Sequence, residues 1–169
     1  MFSLGVKHFS AMASVKENKE SWQTLQKGQI AELAFERIAL AHGYGVRYAG
    51  GQYSGVLLPS KHRKAPPDTN NWRADFELYK QSNGSWVPFK HVEVKWRAKA
   101  CDTPSKLPPN ADYLVLFTPS KLLCAKKKGY ARQSSLKPIE DFTELGFQKK
   151  LYEEIRAAAE SLLKAWPEV

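Results

Sequence analysis

Arg73-Ala-Asp75-Phe-Glu77-Leu-Tyr79 and His91-Val-Glu93-Val-Lys95-Trp96 are the two stretches whose reading decides the fold. Each alternates polar and apolar residues with period two, as a strand with one wet and one buried face does. Between them Gln81-Ser-Asn83-Gly84-Ser reads as a hairpin turn centred on Asn-Gly. The apolar residues Phe76, Leu78, Val92 and Val94 fall on even numbers, and Asp75, Glu93 and Lys95 on odd ones. Residues opposite each other across a hairpin share a face. If the apolar set shares one face, the ionisable set shares the other. A strict two-residue Asn83-Gly84 turn would instead pair odd numbers with even ones and turn Asp75 away from Glu93. A shared face therefore requires an odd-length loop or a one-residue bulge, for which Gly84 in a left-handed conformation or Pro88 is the expected source.

Outward from this hairpin the chain reads as an α/β domain. Lys27-Gly28 precedes a helical pattern, Ile30, Ala31, Leu33, Ala34, Ile38 and Leu40, that ends at Gly43. Glu32 lies near its start and Glu36 one turn on, the latter as a solvated residue. Tyr44–Tyr48 follows as a first strand. Residues 49–72 form a long irregular insertion with Gly50, Gly51, Gly55, Pro59, Pro66 and Pro67, and with Lys61-His62-Arg63-Lys64. Loops of this length inside a domain are often functional, and the basic run predicts DNA contact. After the hairpin, Pro104, Pro108 and Pro109 leave little room for helix. Tyr113-Leu-Val-Leu-Phe117 is a continuous apolar run, as expected of a central buried strand. Lys121–Ala125 is an edge strand or a short helix. Lys126, Lys127 and Arg132 flank Tyr130 as expected phosphate contacts. From about Glu144 to Trp166 the spacing predicts a long amphipathic helix. Residues 1–26 read as an arm or short helix and 27–169 as one domain.

The 169 residues carry 26 Lys and Arg against 17 Asp and Glu, a net charge of +9. Residues 137–169 hold five basic and seven acidic residues, net −2, so the remainder carries +11. A basic body with a mildly acidic last helix points to a polyanionic partner. Cys101 and Cys124 form no C-x-x-C pair, which excludes a cysteine-rich zinc site and argues against a disulfide scaffold. That usage fits an intracellular protein, cytoplasmic or nucleoid-associated. No apolar run is long enough to span a bilayer, and no signal-peptide core is present. The lack of acidic residues before Glu17 leaves organelle targeting open, and the lack of arginine there argues against it.

In order, the chain gives a helix with Glu32, a strand, a strand with Asp75, a strand with Glu93-Val94-Lys95, then a further strand and helix. This order resembles the PD-(D/E)xK nuclease superfamily. More narrowly it is similar to archaeal-type Holliday junction resolvases and related small phage or mobile-element endonucleases. The residues that carry the resemblance are Lys27-Gly28-x-x-x-Glu32, the Tyr44–Tyr48 strand after a glycine, Asp75, and Glu93-Val-Lys95. Ala74 stands where the family places a proline. The Gln52–Asn71 insertion is longer than the compact resolvase loop, and the prolines before Tyr113 shorten or remove the usual intervening helix.

The resemblance implies a restriction-endonuclease-like mixed sheet of about four to five strands with helices on both faces. It implies a Mg²⁺-dependent DNA endonuclease, structure-selective or site-specific, acting as a homodimer, with Mn²⁺ able to substitute and RNA not excluded as substrate. Asp75, Glu93 and the backbone carbonyl of Val94 would hold the metal, with Glu32 as an added ligand. Lys95 would orient the attacking water and stabilise charge. Arg73 and His91 share the odd-numbered face as phosphate or supporting contacts. Lys61, Arg63, Lys64, Arg73, Lys126, Lys127 and Arg132 would bind nucleic acid. Two rivals fit the same residues: an inactive nucleic-acid-binding module on the same fold, and an unrelated basic RNA- or DNA-binding protein.

Overall fold

A computed structural model describes residues 26–49 and 73–165. It is an α/β structure with one six-stranded mixed sheet in the order β1-β2-β3-β4-β5-β6. The strands are β1 Gly45–Tyr48, β2 Phe76–Ser82, β3 Ser85–Trp96, β4 Tyr113–Phe117, β5 Leu122–Lys126 and β6 Lys137–Pro138. Helix α1 spans residues 26–41, and α2 spans Lys149–Ala165. Among the described residues, only the β3–β4 pair is parallel. The expected arm, save its last residue, and the Lys61–Lys64 run lie outside the described residues.

Helix α1 stops where glycine permits it. Gly43 takes φ +77°, its N–H donates to the Leu40 carbonyl, and the Tyr44 N–H donates back to Ala39. That pair of bonds is a Schellman cap, which satisfies carbonyls left orphaned at the helix end and sends the chain directly into β1. Helix α2 begins later than the periodicity predicts. Gly146 takes φ +63° and ends a turn over 142–146, so Phe142, Leu145 and Phe147 are buried by a loop, not by a helix.

The hairpin resolves the parity question. Ser82 pairs with Ser85 across a two-residue Asn83-Gly84 turn in which both residues have positive φ, 51° and 78°. This geometry matches the twist of the flanking strands. A register shift between Leu78 and Tyr79 then leaves Phe89 as an extra residue on β3. Beyond it Leu78 pairs with Lys90, Glu77 with His91 and Phe76 with Val92. The bulge restores even-with-even pairing and puts Phe76, Leu78, Val92 and Val94 into one core.

That core joins α1 (Ala31, Phe35, Ile38), the sheet, the 142–147 loop and α2 (Tyr152, Ala159). Fully burying a side chain such as Phe35 or Phe76 contributes about 1.5–3 kcal/mol. Among the described residues both helices thus pack on the same face, where helices on both faces are expected. The opposite face is closed by a smaller cluster of Ala74, Leu107, Ala111 and Leu114, with Tyr130 and Leu136 against it. Leu107 and Ala111 belong to the β3–β4 crossover, residues 97–112, which contains no helix. Pro104, Pro108 and Pro109 explain this, since proline removes helical hydrogen bonds. Strand β4 is buried along its whole length, as expected of a central strand. Segment 122–126 is a strand and not an edge one, because the two-residue β6 covers it. No helix among the described residues is long and apolar enough to cross a membrane.

Candidate active site

Continuing the β2–β3 register by one residue sets Asp75 opposite Glu93. Asp75 lies just before β2, its carbonyl accepting the Ala49 N–H at 2.8 Å. The preceding Ala74 N–H donates to Asn110 Oδ1 at 2.8 Å. These bonds fix the backbone so that the Asp75 carboxylate reaches across to β3, where the Val94 N–H donates to Oδ2 at 2.8 Å. Lys95 Nζ lies 2.5 Å from Glu93 Oε1 and 3.7 Å from Asp75 Oδ2. Asp75, Glu93 and Lys95 therefore share one face, the one turned away from the main core. Glu32 approaches them from α1 near the sheet edge and accepts a hydrogen bond from the Tyr48 hydroxyl at 3.0 Å.

Three carboxylates around one ammonium are electrostatically unbalanced. Burial first, then repulsion from Asp75, pushes Glu93 up to about 7. Glu32 is likewise held at about 7 by burial and by Asp75. Asp75 is raised by burial, against the opposing pull of Lys95 and the Val94 N–H. Burial alone would lower Lys95, but the charges of Asp75 and Glu93 raise it, so it stays protonated.

The residues fit a divalent cation. Glu93 is 1% exposed, yet its Oε2 has no hydrogen-bond partner. A buried carboxylate oxygen without a donor is costly and calls for a positive ligand. Among the described residues, no three His, Cys, Asp or Glu side chains form a cage that would hold a metal by protein atoms alone. Mg²⁺ does not use such cages; it takes one or two carboxylates and fills its octahedral shell with water and substrate phosphate.

A second row lies beside the first. Glu77, 6% exposed, is bound by Arg47, by the Tyr79 hydroxyl at 2.8 Å and by His91 Nε2 at 3.7 Å. The Tyr79 hydrogen bond, then Arg47 and His91, holds Glu77 below the usual carboxylate range. His91 also faces Asp112, whose Oδ2 accepts the His91 backbone N–H at 2.8 Å and lies 3.7 Å from the ring Nδ1. Sequence reasoning singled out His91 but not Glu77, Arg47 or Tyr48. Glu77 carries the same odd-number signal as Asp75. Arg47 and Tyr48 carry none, because nothing in the sequence tells that β1 pairs with β2.

The expected phosphate contacts are scattered. Arg73 is exposed two residues before Asp75, and Arg132 is exposed on a short 3₁₀ turn. Lys126 sits 2.5 Å from Glu144, on the helical side of the sheet and not beside Glu93. Lys127 donates to the Pro108 carbonyl at 3.0 Å and also to Pro109, tying down the crossover. Lys61, Arg63 and Lys64 are outside the described residues. Comparison with protein-family models, curated proteins and solved structures finds no significant match.

Proposed function

We propose that this chain is a Mg²⁺-dependent DNA endonuclease with a restriction-endonuclease-like sheet, of the PD-(D/E)xK kind, that hydrolyses phosphodiester bonds. The observation that carries this reading is the convergence of Asp75, Glu93 and Lys95 on one face, with Glu93 Oε2 buried and unpartnered. Asp75, Glu93 and the Val94 carbonyl hold the cation, with Glu32 as a peripheral ligand. The bound cation supplies Lewis-acid stabilisation of charge on the attacking and leaving oxygens. Lys95, protonated, cannot serve as a base; it orients water and offsets charge on the non-bridging phosphate oxygens. Tyr48 keeps the Glu32 carboxyl pointed at the cluster. The basic surface supplies affinity without sequence information. Junction-resolvase-like selectivity and a homodimer, which two-strand cleavage calls for, belong to the same proposal.

Plasmid nicking in Mg²⁺ against EDTA is the deciding experiment. Purified chain that nicks in Mg²⁺, with Asp75→Asn inactive and still bound to DNA, supports the nuclease. Binding without nicking in Mg²⁺ or Mn²⁺ would replace it with an inactive binding module.

A further inference from the structure

Among the described residues, one face of β1–β2–β3 is open beyond the candidate site, and its side chains are not those of a merely solvated sheet. Arg47, Glu77, Tyr79 and His91 share this face with Glu93 and Lys95. Past the bulge, Pro88 pairs with Tyr79 and Trp86 with Gln81. Trp86 is 53% exposed. Its indole lies over Gly45: a Cβ added there would meet Trp86 Cε3 and Tyr79 Cβ, each at 3.2 Å. Gly45 has no positive φ, so its backbone does not require glycine. What requires it is the seat of the indole. The Arg47 side chain is 67% exposed, yet its guanidinium is anchored on the buried Glu77. An exposed tryptophan in a built seat and an exposed, anchored arginine share a face with Asp75 and Glu93, on a chain of net charge +9.

We propose that this face is a track for one DNA strand, running from Lys95 past Arg47 to Trp86, where an unpaired base stacks on the indole. The proposal deepens the nuclease reading and rests on it: it names the substrate class as DNA with an unpaired arm beside the cut. Arg47, held flat by Glu77, takes a phosphate along the way. Stacking on an aromatic face is tolerant of sequence, since every base presents a π-face. The indole lies over Gly45, which pairs with Tyr79, and Tyr79 pairs with Pro88, five positions from Glu93 on β3 and so roughly 17 Å along the strand.

The test uses the full chain in EDTA, with fluorescein-labelled splayed-arm DNA and a fully paired duplex of equal length, read by anisotropy. Trp86→Ala should weaken binding to the splayed-arm DNA about tenfold and to the duplex less than about twofold. Trp86→Phe should recover most of the loss. Gly45→Val keeps the indole but fills its seat, and should shift binding in the same direction as Trp86→Ala. Equal losses on both DNAs, or none on either, would overturn the track. So would a Trp86→Ala chain that turns from dimer to monomer while keeping its preference for the splayed arm. Plasmid nicking in Mg²⁺ keeps the two readings apart. Nicking with a neutral Trp86→Ala sinks the track alone. Selective loss of arm binding in a chain that never nicks sinks the nuclease alone.

Discussion

Replacing Glu93 by Gln should stabilise the metal-free protein at alkaline pH while destroying its response to Mg²⁺. Glu93 is almost completely buried, and its carboxyl is held at about 7 in place of its ordinary 4.5. At about 1.4 kcal/mol per pH unit, that displacement corresponds to about 3 kcal/mol. A group raised in the folded state adds stability that is complete below its unfolded value and lost as pH rises through its folded one. In EDTA the wild type should therefore weaken between about pH 4.5 and 7 and level off above. Gln resembles the protonated acid, so Glu93→Gln should match wild type below about pH 4.5 and exceed it at pH 8.5. Relaxation of the site reduces the gain to about 1–3 kcal/mol, or roughly 3–10 °C in Tm for a chain of this size.

Circular-dichroism melts at pH 4.5 and 8.5, each in EDTA and in Mg²⁺, give the four numbers needed for each protein. Mg²⁺ at 100 times its Kd should stabilise the wild type at pH 8.5 by about 2.7 kcal/mol and leave the variant almost unchanged. A variant that melts below wild type at pH 8.5 in EDTA would refute the reasoning. It would mean that the 2.5 Å contact with Lys95 makes the ionised Glu93 a net stabilising group. The cluster would then be a satisfied ion pair and not a cation site.

Asp75→Asn and Lys95→Ala should each slow plasmid nicking by about 100-fold or more, since each removes a charge that acts in the transition state; anisotropy in EDTA should show DNA affinity largely retained. Glu32→Gln should cost less than about tenfold and raise the Mg²⁺ concentration at half-maximal nicking, because water can replace a peripheral ligand. Neutralising Lys61, Arg63 and Lys64 should reduce the salt slope of duplex binding by about 0.9 for each phosphate that the chain no longer neutralises.

Much of the sheet was legible because its signals are local. Period-two alternation marks β2 and β3, continuous apolarity marks β4, and Gly43 marks the end of α1. The start of α2 is not legible, because Leu145 fits the apolar pattern of the helix that follows but is buried from a loop. The cover of the crossover face is not legible, because it is made by Leu107 and Ala111 beside Pro104, Pro108 and Pro109, where no periodicity exists. Lys126 and Lys127 looked like free phosphate contacts because their partners, Glu144 and the Pro108 and Pro109 carbonyls, lie 18 or 19 positions away along the chain.

The shared face of Asp75, Glu93 and Lys95 depends on a single inserted residue, and core burial is what makes that residue necessary. The Asn83-Gly84 turn alone would put Val92 and Val94 on the face opposite Phe76 and Leu78. Core burial forbids this, since all four side chains are at most 2% exposed and belong to one cluster. The chain meets both demands by bulging at Phe89. The bulge residue has its own stabilising contacts: its ring stacks on Tyr44 at 5.9 Å, and Lys80 Nζ lies 3.7 Å above it. Hydrophobic burial on one face thus fixes the register, and the register delivers Asp75, Glu93 and Lys95 to the other. The same bulge reverses the parity of the hairpin's far end, so Trp86, an even-numbered residue, joins the odd-numbered Glu77, His91 and Glu93. Parity reasoning therefore reaches the carboxylates and stops short of the indole, which only the position of the bulge brings to their side.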